Sequence, residues 1–142
     1  MMYKQFFSEF GKLLYAIADV DGSISQKEKN AIHEIVNKQL IPLVPKKDSY
    51  GTNVGYYSEF EFDIMEDASL DPEIAFESFI NFIQAHHTAI DSKMIDAIRK
   101  VSETLADTYH HSNKKEKKLL FKLNKKLDEI VSSNNFHEGI KK

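Results

Sequence analysis

The sequence has no cysteine among its 142 residues, and it has only three prolines and five glycines. The absence of cysteine excludes disulfides, thiolate metal sites and a cysteine nucleophile. Scarce proline and glycine, together with many lysine, glutamate, leucine and isoleucine residues, favour helices over a sandwich of short strands. We therefore expect an all-α protein.

Long apolar runs are also missing. No stretch approaches the ~18 consecutive apolar residues that a membrane-spanning helix needs, and the amino-terminal residues do not resemble a secretory signal. We therefore expect a cytoplasmic protein with no transmembrane segment, a description that is compatible with peripheral membrane association. The hydrophobic fraction of 42% is ordinary for a globular protein, and the length fits one domain with a sizeable core.

Charge is unevenly distributed along the chain, although the net charge is only −3. Ten acids and no lysine or arginine lie from Asp48 to Ser92, whereas twelve lysines or arginines and seven acids lie from Lys93 onward. The basic residues alternate with apolar ones at helical spacing and lack interleaved surface aromatics. This pattern favours a solvated helix face over a nucleic-acid surface, so we expect no nucleic-acid partner.

Hydrophobic periodicity predicts five main helices within a compact, irregular bundle of five to seven helices. The helices are expected to begin near residue 3, at Ser25, at Asp71-Pro72, at Asp91 or Ser92, and at Asn113. Pro42 and Pro45 are expected to end the second helix.

A single domain, residues 1–133, is expected to contain these helices, with residues 134–142 as a flexible tail. Within this domain, residues 43–70 read as a loop or insertion, in which residues 60–65 fit either a short helix or a strand-like lid. The aromatic side chains of the middle segment are expected to pack in the core; they are Phe60, Phe62, Phe76, Phe79 and Phe82. Tyr50, Tyr56 and Tyr57 are the candidates for an exposed partner-binding patch.

Three carboxylates, those of Asp19, Asp21 and Glu28, surround a glycine turn at the junction of the first two helices. A carboxylate near a helix C-terminus faces the negative end of the helix dipole, which typically costs up to ~1 kcal/mol. Asp19 and Asp21 also repel each other. Because a divalent cation would relieve both effects, the turn predicts a site for Ca²⁺ or Mg²⁺, which prefer oxygen ligands.

A second interpretation of the same acids stays open. Ser25 and Glu28 match the S-x-x-E capping box, in which the glutamate caps the helix start and binds no metal. The turn also matches part of an EF-hand loop. Ile17 occupies the first ligand position of that loop, however, so the match does not describe a competent EF-hand.

The helix–acidic turn–helix pattern recurs 88 residues later, which indicates an internal duplication. Asp19 aligns with Asp107 (19 + 88 = 107), and Glu28 aligns with Glu116 (28 + 88 = 116). Asp107 and Glu116 are therefore candidate ligands of a second metal site. The Asp-Gly of the first copy is replaced in the second by Tyr109 and His110.

The segment Leu13–Ser25, LLYAIADVDGSIS, followed by Glu28, resembles the signature of the TerB-like (tellurite resistance protein B) family. That signature is an apolar helix that ends in Ala-x-x-Asp-Gly-x-Ile/Val, with a glutamate after it. The resemblance implies an all-helical, duplicated fold and a divalent-metal site that carries over to Asp21 and Glu28, with Asp19 adjacent. It implies a stress-associated or envelope-linked module and does not imply tellurium chemistry.

Two functional hypotheses follow, and both are non-enzymatic because the sequence has no nucleophile elbow and no Gly-rich phosphate loop. The first is a TerB-like module that binds a divalent cation. The second is a metal-free protein-interaction module, in which the acids cap helices and the acidic 43–70 segment recruits a basic partner. A third alternative, a carboxylate-dependent hydrolase, needs a deep cleft around Asp19 and Asp107. The partner protein, and the choice between monomer and homodimer, do not follow from the sequence.

Overall fold

The computed structural model describes residues 2–20, 24–43, 46–109 and 114–134, and within these residues the fold is all-α, as predicted. The helices are α1 (Met2–Asp19), α2 (Gln26–Ile35), α3 (Ile41–Leu43), α4 (Tyr56–Ala68), α5 (Pro72–Ala85), α6 (Ser92–Tyr109) and α7 (Lys114–Asn134). A π-helical segment, Val36–Leu40, joins α2 to α3, and a short 3₁₀ turn, His87–Ala89, precedes α6. The predicted tail lies outside the described residues, apart from Asn134.

Helix α1 is the central element, because it packs against α4, α5 and α6. Phe6, Phe7 and Phe10 are fully buried. Phe79 of α5 lies 6.4 Å from the Phe6 ring and 6.1 Å from the Phe10 ring, measured between centroids. A helix that is apolar on most of its circumference must be enclosed by other helices, and α1 meets this condition.

The contact between α1 and α4 is unusually close at Gly11. A Cβ atom at this position would lie 2.3 Å from the carbonyl oxygen of Ser58 and 2.8 Å from the Cβ of Glu61. Real Cβ atoms essentially never approach other atoms this closely. The two helices can therefore approach this closely only because Gly11 has no side chain.

The path of the chain through Pro42 differs from the prediction that this proline ends the second helix. The chain stays helical as far as Leu43, because the backbone widens into the π-helical segment, where the Ile41 N–H donates to the Val36 carbonyl. Proline lacks an N–H, and in a regular helix its ring clashes with the carbonyl four residues earlier. The widened turn accommodates both effects. Pro45 lies outside the described residues.

In the segment before α4, the side chain of Asp48 accepts several hydrogen bonds. Its Oδ1 accepts hydrogen bonds from the N–H groups of Tyr50 (2.8 Å) and Thr52 (2.9 Å), and its Oδ2 accepts from the Tyr57 hydroxyl. These hydrogen bonds lower the pKa of Asp48, and the bond from Tyr57 makes the largest contribution. Helix α4 follows directly, which resolves the ambiguity of residues 60–65 in favour of a helix.

We predict that Gly11→Ala destabilises the fold by a net of about 1–2 kcal/mol, since overpacking a core typically costs about 1–3 kcal/mol. The added methyl group would overlap the backbone of α4, and the better helix propensity of alanine, worth ~1 kcal/mol, offsets only part of this cost. Ser58→Ala is the matched control on the facing helix. Ser58 is buried and its hydroxyl has no hydrogen-bond partner among the described residues, so its removal should change stability little. Urea unfolding of both variants measures the difference, and equal stabilities would contradict the close contact.

Candidate functional site

The predicted acidic turn lies where α1 ends at Asp19 and α2 begins after Ser25. The Ser25 N–H donates to Glu28 Oε1 at 2.7 Å, and the Glu28 N–H donates to Ser25 Oγ at 3.1 Å. This reciprocal pair is a complete capping box, so the capping role predicted for Glu28 is confirmed. Asp21, the central residue of the predicted metal site, lies outside the described residues.

Asp19 lies beside a tyrosine that connects α1 to the α4–α5 turn. The Tyr15 hydroxyl is 2.7 Å from the Leu70 carbonyl oxygen and 3.2 Å from Asp19 Oδ2. Burial first, and then the charge of Asp19, raise the pKa of Tyr15 to about 12. The hydroxyl is therefore protonated at neutral pH. It is the hydrogen-bond donor toward the Leu70 carbonyl and the Asp19 carboxylate.

A cleft of about 610 Å³ opens next to Tyr15, and it is lined by the carboxylates of Asp19, Glu66 and Asp71. Glu66 also forms an ion pair with Lys29 of α2 at 2.6 Å. Although these acids line one cleft, no three acidic or histidine side chains within the described part of the chain are grouped closely enough to hold a metal ion.

The second predicted site is only partly described. Glu116 lies in the first turn of α7 and is 1% exposed. The side chain of Asp107 is not among those that the structure describes.

Helices α2 and α7 begin 88 residues apart (114 − 26 = 88), which is the offset of the predicted repeat. Tyr3 and Asp91, which are also 88 residues apart, share a hydrogen bond of 2.5 Å.

A different surface, on the outward side of α4, combines apolar and acidic side chains. Phe60 is 48% exposed and Ile64 is 55% exposed, and their spacing of four residues places them on the same helix face. Asp63 and Asp67 are exposed beside them. We call these four residues the α4 surface.

Negative charge on this surface is only partly balanced. The α2 edge of the helix carries two pairs, Lys29 with Glu66 and His33 with Glu59. The hydrogen bond between His33 Nδ1 and the Glu59 carboxylate, which accepts it, raises the pKa of His33. Asp63 and Asp67 form no ion pair with any described residue. Although the Asp63 side chain is exposed, partial desolvation of its carboxyl group by neighbouring atoms is the first cause that raises its pKa, and the charges of Glu59, Glu66 and Asp67 follow.

Sequence reasoning placed Phe60 in the core, and the structure corrects this. Phe62, Phe76 and Phe79 are buried as expected, but Phe60 is half exposed. The prediction rested on the aromatic richness of the middle segment, while the alternation of residues 60, 62 and 64 left a short helix and a strand-like lid both open. In a helix, Ser58 and Phe62 share the inward side with Met65, and residues 60 and 64 point outward. Helical periodicity applied to residues 56–68 is the signal that distinguishes the two sets.

No family model matches the chain, and no curated protein or solved structure is significantly similar to it. The resemblance to the TerB-like family therefore stays a prediction. Among the described helices, none combines the length and the apolar character that crossing a bilayer requires.

We predict that Asp63→Asn stabilises the protein at pH 7. A carboxyl group whose pKa is raised by folding opposes the folded state when it is ionised, so its unfavourable contribution grows as the pH rises above about 4. The gain from Asp63→Asn should disappear near pH 2–3, where Asp63 is protonated in both states. The control is Asp128→Asn, which removes the same charge from an ion pair with Arg99 (2.8 Å) and should give no gain. Urea unfolding at both pH values measures the effect, and a loss of stability at pH 7 would contradict it.

Proposed function

We propose that this chain is a non-enzymatic protein-interaction module, and that its α4 surface binds a basic, amphipathic helical segment of a partner. The observation that carries the proposal is the exposed Phe60–Ile64 pair, bordered by acids that form no ion pair with any described residue. This is the second of the two hypotheses that the sequence left open, in which the acidic 43–70 segment recruits a basic partner, and the proposal narrows that segment to the outward side of α4.

The arrangement of the apolar residues on this surface supports the proposal that it binds a helix. Single exposed hydrophobic residues are common on protein surfaces and need no explanation. Phe60 and Ile64 instead form an adjacent pair on a rigid helix, and the Tyr57 ring packs edge-on against Phe60 with centroids 5.6 Å apart. A partner helix that presents apolar residues at spacings of three and four can cover such a pair.

The negative charge of the α4 surface favours a partner with positive charge. After desolvation, which is the larger cause, the charges of Glu59, Glu66 and Asp67 contribute to the raised pKa of Asp63, so the acids of this surface repel one another. Lysine or arginine side chains at the rim of a partner helix would relieve this repulsion. Such complementarity also accelerates association and rejects acidic partners.

Binding of a fluorescein-labelled, 18-residue amphipathic peptide of lysine and leucine tests the proposal by fluorescence anisotropy. We expect Phe60→Asp to weaken binding by about tenfold or more, because it places a charge at the apolar centre of the contact. The control is Phe121→Asp, which makes the same change at an exposed residue of α7 and should bind like the wild type. A peptide of equal composition without the amphipathic order should bind weakly to all three proteins. Equal affinity of wild type and Phe60→Asp for the ordered peptide would overturn the proposal.

A second candidate function is divalent-cation binding of the TerB-like kind, by Asp19, Asp21 and Glu28. The observation that favours it is the cleft beside Asp19, where Glu66 and Asp71 add carboxylates that the sequence pattern did not indicate. The capping box weighs against it, because one oxygen of Glu28 is already bound to the Ser25 N–H.

Calorimetric titration with Ca²⁺ and with Mg²⁺ tests this second candidate. Binding heats in the wild type should fall in Asp21→Asn, since a neutral amide is a weaker ligand for a hard cation. Glu28→Gln should also lose heat of binding while it keeps the cap and therefore the stability of the fold. Negligible heats in all three proteins would remove the cation-binding function and leave the interaction function unaffected.

A further inference from the structure

The exposed side of α7 resembles the α4 surface, because an exposed phenylalanine lies among charged residues on both helices. The charges on α7 are positive, whereas those on α4 are negative. Phe121 is 69% exposed and is the centre of this side. Four exposed lysines lie within four residues of it along the helix, and none of them forms an ion pair with a described residue; they are Lys117, Lys118, Lys122 and Lys125. We call Phe121 and these four lysines the α7 surface.

We propose that the α7 surface of a second copy of this chain binds the α4 surface, so that copies associate head to tail. This inference rests on the proposed function, because it names the partner of the same α4 surface. The α7 surface meets the charge requirement derived for that partner and part of the apolar one, because Phe121 is one exposed apolar residue rather than a pair at spacings of three or four. It presents an exposed aromatic residue on a helix, and it carries lysines around that residue.

The spacing of the charges supports the match. Lys118, Lys122 and Lys125 follow one another at intervals of four and three residues, which is also the kind of interval that separates Asp63 from Asp67. At a rise of 1.5 Å per residue, Lys118 and Lys122 lie ~6 Å apart along their helix axis, as do Asp63 and Asp67. Two helices packed along their length can therefore pair both acids with lysines while Phe121 contacts Phe60 or Ile64.

The two surfaces do not cover each other within one copy, because Phe60 and Phe121 are both exposed in the folded chain. Helix α4 packs against α1 and the π-helical segment, whereas α7 packs against α5, α6 and the 3₁₀ turn. The contact must therefore form between copies. Because it joins two different surfaces, it leaves one of each free at the ends and can add further copies. An interface made of one helix from each copy is small, so the association should be weak and reversible.

Sedimentation velocity of the full chain at increasing concentration tests the proposal. In 0.1 M salt we expect the average sedimentation coefficient of the wild type to rise with concentration. The rise should shrink in 1 M salt, because the Debye length falls from about 10 Å to about 3 Å. Phe60→Asp and Phe121→Asp should each stay monomeric, since each lacks one of the two required surfaces. Both positions are exposed, so circular dichroism should show that both variants remain folded.

An equimolar mixture of Phe60→Asp and Phe121→Asp separates a head-to-tail contact from a symmetric one. The α7 surface of the first variant and the α4 surface of the second are intact, so the mixture should form a 1:1 complex that cannot grow further. No complex in the mixture, or self-association by either variant alone, would overturn the proposal. So would a wild type that is monomeric at ~1 mM in 0.1 M salt. In that last case, binding of the lysine–leucine peptide by the wild type but not by Phe60→Asp would show that the proposed function survives without self-association.

Discussion

The close contact between α1 and α4 is the constraint on which the remaining arrangement depends. Gly11 allows the backbone at Ser58 to lie nearer to α1 than any side chain at position 11 would permit. With Ser58 and Phe62 held against α1, helical geometry turns Phe60 and Ile64 to the opposite side of α4. The exposed apolar pair is thus a direct consequence of how the core packs.

The carboxylates of the chain have two different physical roles. Glu28 accepts the Ser25 N–H, and this bond satisfies a backbone donor that a helix start would otherwise leave unpaired. Asp63 and Asp67 have no such partner among the described residues and raise each other's electrostatic energy. The first role stabilises the fold locally, and the second is the basis of our proposal that this part of the surface binds a basic partner.

Charge separation along the sequence becomes charge separation in space. The acid-rich middle segment supplies α4, and the lysine-rich segment supplies α7, and the two helices pack against different neighbours. Each presents a phenylalanine among its charges, Phe60 in one case and Phe121 in the other. The net charge of only −3 is therefore a sum that includes one negatively charged and one positively charged surface.

The sequence by itself determined the fold class, the extent of α1, and the caps at Ser25 and Asp71, because helical periodicity and capping depend on residues a few positions apart. It also indicated the 88-residue offset, which the starts of α2 and α7 reproduce. Only the tertiary structure decided that the chain passes Pro42 as a helix, that Phe60 faces outward, and that Glu66 and Asp71 line the cleft beside Asp19. These features depend on which helices meet and on how closely they approach, and such contacts join residues far apart in the chain, where no local pattern specifies the pairing.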